Sequence, residues 1–85
     1  MTYRGFLSPR AERDLRRLPP DVARRVTAAI SALEENPRPS GSRKLADSDE
    51  SRIRLGDYRV RYRINDSLRQ LTITRIAHRR EVYRP

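Results

Sequence analysis

Cysteine and tryptophan are missing from this chain, and methionine and histidine occur once each. Without cysteine there is neither a disulfide nor a thiolate metal ligand. One imidazole does not supply the donor set of a structural zinc site, and no metal or other cofactor is expected. Glycine is scarce, at three residues, and none is spaced as in a phosphate-cradling loop. There is no His-Glu-x-x-His motif and no Ser/His/Asp set at persuasive spacing. The acids fall mostly on helix faces or in turns, which gives paired-carboxylate chemistry little support. Hydrophobic runs are short. None approaches the roughly 20 apolar residues of a membrane span, and Met1-Thr-Tyr-Arg-Gly5 does not open like a signal peptide. The cytoplasm is therefore the expected compartment.

What the chain has in excess is positive charge. Twenty basic residues stand against 11 acidic ones, a formal charge of +9 on 85 residues. Residues 1–42 contribute 8 basic and 5 acidic groups and residues 43–85 contribute 12 and 6, so the excess leans toward the second half. Only Lys44 is a lysine. The dull explanation of that bias is genomic base composition. The physical consequence holds regardless, because the planar guanidinium suits bidentate phosphate contacts and stacking on bases. The length implies one domain spanning residues 1–85. With 35% apolar residues the core is thin, and such a protein is expected to gain stability or control from a partner.

The densest signal is Ser51 to Ile64. It reads as two strands meeting at Gly56-Asp57. Tyr58, Val60, Tyr62 and Ile64 alternate with Arg59, Arg61 and Arg63, and Ile53 and Leu55 alternate with Arg52 and Arg54. One face of this hairpin is apolar and aromatic, and the other is basic. A basic face can simply be solvated. Five guanidiniums on adjacent strands also fit a polyanionic ligand.

Around the hairpin, Thr2–Leu7 reads as a first strand. Ser8-Pro9 starts a helix, with Ser as N-cap and Pro at the first helical position, and Ala11, Leu15 and Leu18 follow at helical spacing. Pro19-Pro20 ends it and opens a second helix, whose stripe is Val22, Val26, Ala29, Ile30 and Leu33 and whose stop is Asn36-Pro37. The two should form an antiparallel helical hairpin. Residues 36–42 are a Pro/Gly/Ser loop, Arg43-Lys44-Leu45 begins a strand, 46–51 is a polar turn, and Leu71–Ala77 is a last strand. The order β-α-α-β-β-β predicts an α+β domain, its helical hairpin packed on one face of a small antiparallel sheet. The helix arginines 10, 13, 16, 17, 24 and 25 read as a solvated face. Tyr58 and Tyr62 read as sheet-face packing.

Leu55–Ile64, followed by Ile76-Ala-His-Arg-Arg-Glu-Val-Tyr83, resembles the RelE branch of the RelE/ParE toxin superfamily. The Leu18-Pro19-Pro20 link, Asn36-Pro37 and Arg43-Lys44-Leu45 fall in the same order as in that family. The resemblance implies the RelE-like fold and the toxin half of a toxin–antitoxin pair. Its RelE branch is a ribosome-dependent messenger-RNA endonuclease cutting in the A site. A cognate acidic antitoxin silences it, and ribosome and mRNA are its other partners. Carried over, the first two basic positions of the family fall on Arg52 and Arg54, the strand arginine on Arg59, the C-terminal arginine on Arg79 and the terminal tyrosine on Tyr83. The first two are lysines in the best-known members and arginines in this chain. The same fold in the ParE branch implies a non-enzymatic gyrase inhibitor, which is the alternative reading. A small RNA-binding domain without toxicity is a third.

RNA cleavage by 2′-hydroxyl attack needs a base, charge stabilisation on the phosphorane, and an acid for the leaving oxygen. Guanidiniums suit the second task and not the first, because they stay protonated. Arg52, Arg59 and Arg79 are accordingly the expected charge stabilisers, with Arg79 also facing the leaving oxygen and Arg54 assisting electrostatically. Tyr83, whose phenol ordinarily titrates at about 10 and would be lowered by neighbouring cations, is the candidate base. Arg61, Arg63, Arg80 and Lys44 are the candidate RNA contacts. His78, alone at the end of a strand, reads as structural.

Overall fold

The computed structural model describes the backbone of residues 2–82 and the side chains of residues 2–80. Along the chain run β1 (Arg4–Leu7), α1 (Pro9–Arg16), α2 (Pro20–Glu35), β2 (Arg43–Lys44), β3 (Glu50–Leu55), β4 (Tyr58–Asn65), β5 (Gln70–His78) and α3 (Arg79–Val82). Two helices pack on one face of a five-stranded sheet of order β1-β5-β4-β3-β2. Three of its pairings are antiparallel, as expected, and β1 adds a parallel pairing with β5. Arg43-Lys44 forms its own short edge strand, so four strands follow the helices. No helix among the described residues is long and apolar enough to cross a membrane.

Local chemistry sets each helix. The Ser8 hydroxyl accepts a hydrogen bond from the Ala11 amide at 3.1 Å, satisfying one of the first-turn donors of α1. Pro20 and Asp21 occupy the first turn of α2, where a missing amide costs nothing and a negative charge meets the positive end of the helix dipole. Val22, Val26 and Leu33 are buried from the stripe of α2, while Ala29 and Ile30 pack at its margin. Asn36 ends it in extended conformation at φ −147°, ahead of Pro37. The Glu34 carboxylate accepts from the Gly5 amide at 2.7 Å, and the Glu34 carbonyl from the Tyr3 amide at the same distance, which ties α2 along the edge of β1. A Cβ on Gly5 would lie 3.1 Å from that carboxylate oxygen, so glycine permits the close approach.

Between helices and sheet lie Val26, Leu33, Val60, Tyr62, Leu71, Ile73 and Ile76, all essentially inaccessible. Tyr62 is packed as the alternation predicts. Its hydroxyl donates to the Pro37 carbonyl at 2.7 Å, and burial pushes its phenol up. Tyr58 is half-buried and meets His78 edge-on, ring centroids 5.2 Å apart.

One acid is part of this packing. β1 stops pairing at Leu7 opposite Ile73, leaving the rest of that edge of β5 open. α1 closes it. The Ser8 hydroxyl donates to the Thr74 carbonyl at 3.2 Å, and buried Asp14 accepts from the Ile76 amide at 2.9 Å. Arg10 and Arg75 complete the environment of Asp14, at 3.3 and 3.2 Å. Thr74 itself is the extra residue of a bulge, since Arg61 opposes Arg75 while Tyr62 opposes Ile73.

Candidate nucleic-acid interface

The helices cover the face that carries Val60 and Tyr62. Directly opposed residues share a face, so the register assigns the other one. Arg43, Arg52, Arg61 and Arg75 form one row across β2, β3, β4 and β5. Arg54 and Arg59 form the next, with Ala77 beside them. Adjacent strands stand about 4.8 Å apart, which brings these guanidinium stems close together.

The hairpin turn shapes one end of this face. Gly56 has φ +61° and Asp57 is not in the left-handed region, the pattern of a type II′ turn that follows the twist of the strands. The Asp57 carbonyl accepts from the Arg79 amide at 2.6 Å. The Asp57 carboxylate stands 3.9 Å from the Arg79 guanidinium. Those contacts hold the start of α3 against the turn. The His78 Nδ1 accepts from the Arg80 amide at 3.2 Å, a second anchor for the start of α3. As a result Arg54, Arg59 and Arg79 line one small pocket of about 100 Å³ with Gly56 and Asp57. Beside it a larger cleft of about 450 Å³ is lined by Ser40, Gly41, Arg43, Arg52, Ile53 and Arg54. Arg54 belongs to both.

The structure thus brings Arg52, Arg54, Arg59 and Arg79 to one continuous surface. Tyr83 lies outside the described residues. The other candidates are set apart. Arg61 approaches the mostly buried Glu50 carboxylate at 2.8 Å, angled so that this oxygen accepts no hydrogen bond. Arg63 lies 3.6 Å from both Glu50 and Asp49. These acids neutralise the far end of the face. Lys44 opposes Ser51, itself opposite Tyr62, so it leaves the sheet on the other side from Arg43. It lines a separate cleft with Arg38, Ser42 and Asp49. Arg80 is exposed on α3.

Three contributors escape a reading of the sequence. Arg43 joins the face because β2 pairs with β3; the sequence marks Arg43-Lys44-Leu45 as the start of a strand without saying which side of the sheet Arg43 takes. Asp57 reads as a turn residue and also orients Arg79. Glu50 reads as part of a polar turn and is instead the first residue of β3, where it takes up the charge of Arg61 and Arg63. Among the described residues, no group of three or more His, Asp or Glu side chains converges as a metal site would require.

The loop before β2 is held at three points. Besides Tyr62 on Pro37, the Ser42 amide donates to the Pro39 carbonyl at 3.0 Å, with Gly41 at φ +93° inside that turn, as a type II turn requires. Arg38 makes a bidentate pair with Asp66 at 2.9 and 3.2 Å, and the Tyr3 hydroxyl donates to the same carboxylate at 2.6 Å. Arg38 first, then Tyr3, pull Asp66 down to about 2, and Asp66 in turn raises Tyr3.

Comparison with known proteins agrees with this architecture. The family model described as ParE toxin of a type II toxin–antitoxin system matches residues 6–83. Toxin RelG of Mycobacterium tuberculosis is 36% identical over 88 residues, covering 99% of both chains. The putative toxin RelE1 of Methanocaldococcus jannaschii is 31% identical, covering 99% of this chain and 98% of its own. The RelE–RelB complex of Pyrococcus horikoshii contains a chain 33% identical with a TM-score of 0.83, covering 93% of this chain and 97% of that one. The RelBE2 toxin–antitoxin complex of Mycobacterium tuberculosis superposes with a TM-score of 0.84 at 28% identity, covering 92% and 99%.

Proposed function

The chain belongs to the RelE/ParE family of type II toxins, and from that premise we propose that it is a messenger-RNA endonuclease acting on translating ribosomes. Its substrate is mRNA in the A site, and an acidic antitoxin neutralises it. The observation that carries this reading is the convergence of Arg54, Arg59 and Arg79 on one pocket, continuous through Arg54 with the cleft of Arg52.

In the reaction the 2′-hydroxyl oxygen bonds to the adjacent phosphorus and the bond from phosphorus to the 5′ oxygen breaks. The products are a 2′,3′-cyclic phosphate and a 5′-hydroxyl. Arg52, Arg59 and Arg79 stabilise the additional negative charge on the phosphorane, where aimed donors act most strongly. Tyr83, in its phenolate form, takes the 2′-hydroxyl proton, and the departing 5′ oxygen, held by a hydrogen bond from Arg79, takes a proton from solvent to become the 5′-hydroxyl. The basic set is rich in charge and poor in proton acceptors, which makes the protein a weak nuclease on free RNA. The ribosome is needed to hold the 2′-oxygen in line with the phosphate.

Mapping of 5′-hydroxyl ends with and without translation tests the reading, with cuts expected only in translated transcripts. Inhibition of gyrase is the second reading, favoured by the ParE description of the matching family model. Intact transcripts beside blocked DNA supercoiling would establish it instead.

A further inference from the structure

We infer that the cleft between the Ser40–Gly41 turn and β3 is a second phosphate subsite, in which Arg43 grips the single-stranded RNA one step from the bond to be cut. This rests on the RNA-cleavage reading above and adds to it a substrate contact that positions rather than reacts.

Three observations carry the inference. First, β2 pairs with β3 only at Ser51 and Arg52, so the chain leaves a notch beside Ile53 and Arg54. That notch is the cleft of about 450 Å³, a size within the usual range for ligand pockets. Arg43 and Arg52 are register partners on its rim, and Arg54 follows two residues along the same face, about 6.7 Å further on. Because Arg54 also lines the pocket of Arg59 and Arg79, a polyanion seated there continues into the cleft without leaving positive surface.

Second, the carboxylates are distributed unevenly. Glu50 and Asp49 occupy Arg61 and Arg63, Asp14 occupies Arg75, and Asp66 occupies Arg38. Among the described residues no carboxylate pairs with Arg43 or Arg54. On this face the described carboxylates therefore leave Arg43 and Arg54 without an acid, whereas Glu50 and Asp49 offset Arg61 and Arg63 and Asp57 stands 3.9 Å from Arg79. Third, the wall opposite the arginines is fixed. The turn at Gly41 is hydrogen-bonded, and its flanks are anchored through Pro37 and Arg38. A guanidinium beside a rigid wall loses less freedom on binding than one on a mobile loop. The shape, a charged track one nucleotide step long with a confined end, fits a phosphodiester backbone better than an isolated anion.

The test uses the purified full-length chain and a short fluorescent RNA with a 2′-O-methyl group at the susceptible position, which blocks attack. Anisotropy titrations at several salt concentrations compare the parent with Arg43→Ala, Arg43→Lys and, as a control on the helical face, Arg16→Ala. Arg43→Ala is expected to weaken binding about tenfold and to shrink the salt slope by about 0.7, the value for one phosphate contact on a single strand. Arg43→Lys should restore the slope and only part of the affinity, because it keeps the charge and loses the fork. Arg16→Ala should bind as the parent does. In single-turnover cleavage on programmed ribosomes, Arg43→Ala should lower the rate at limiting protein and leave the saturated rate constant unchanged.

Absence of RNA binding by the parent, or an Arg43→Ala variant with unchanged affinity and slope, overturns the subsite. So does loss of antitoxin affinity with RNA binding intact, which would assign the cleft to the protein partner. If Arg43 governs RNA binding while no cleavage occurs on ribosomes, the subsite stands and the endonuclease reading falls.

Discussion

Arg54 and Arg59 oppose each other across the β3–β4 hairpin, two like charges side by side on one open face of the sheet. Directly opposed like charges on a sheet cost roughly 0.2–1 kcal/mol. On the RNA-cleavage reading proposed above, that cost is accepted because both guanidiniums face the substrate.

Stability and activity should accordingly move in opposite directions at this pair. Arg54→Thr removes the repulsion, keeps a good strand former, and is expected to raise the melting temperature by about 1–8 °C. The same change should lower cleavage on ribosomes by about tenfold or more, because Arg54 lines both halves of the basic surface. Thermal melts and single-turnover assays on one preparation check both signs. A variant that is less stable and equally active would refute the argument.

Asp14 should behave as a core residue despite its charge. Asp14→Ala leaves the buried Ile76 amide unsatisfied and opens the upper edge of β5, at a cost of about 1–3 kcal/mol. Asp14→Asn keeps an acceptor for that amide and gives up the attraction to Arg10 and Arg75. Because those arginines reach solvent, the loss should be smaller than for Ala. Urea denaturation of the three proteins ranks them, and equal midpoints would show that the amide finds another partner.

The exposed Arg38–Asp66–Tyr3 cluster sets an acid limit. The folded state holds the Asp66 carboxyl at about 2, below its ordinary 3.8, chiefly through Arg38. The unfolded chain therefore takes up that proton first as pH falls. The stabilisation is fully present above pH 3.8 and disappears as pH drops from there toward 2. Melting temperatures of the parent and Asp66→Asn should converge across that interval and stay separated above it. The separation should also narrow in high salt, since the pair lies open to solvent. A gap independent of pH would place the cause elsewhere.

Period-two alternation between Tyr58 and Ile64 makes both faces of the sheet legible in the sequence, as do Ser8-Pro9 and Asn36-Pro37 for the helix limits. Local rules suffice there because each residue acts on its own neighbours. The parallel pairing of β1 with β5 joins residues more than 60 positions apart and leaves no local trace. Asp14 looks in the sequence like one more acid on a polar helix. Only the early end of β1, which uncovers the Ile76 amide, gives it a reason to be buried. The same holds for Glu50. Its pairing with Arg61 and Arg63 follows from register, and that pairing divides a basic strand into a neutralised end and a charged one. α3 stays hidden because its anchors, Asp57 and His78, belong to a turn and a strand.

Tyr83 and Arg79, both beyond β5, should differ from His78 in what their loss removes. If Tyr83 accepts the 2′-hydroxyl proton, Tyr83→Phe keeps the ring and removes the chemistry, so the saturated rate should fall by about 10²-fold or more. Arg79→Ala should cost about 10²–10³, the scale for losing one donor to a developing oxyanion. His78 provides the contrast. It touches Tyr58 and holds the Arg80 amide, so a role as proton donor or acceptor is not required of it. His78→Asn offers another acceptor for that amide and should retain most of the rate, whereas His78→Phe should loosen α3 and lower the rate through Arg79. Single-turnover cleavage on saturating programmed ribosomes, with melting temperatures measured beside it, distinguishes these effects. Should His78→Asn abolish cleavage in a folded protein while Tyr83→Phe cuts at the parent rate, the base is the histidine and Tyr83 takes no part in proton transfer.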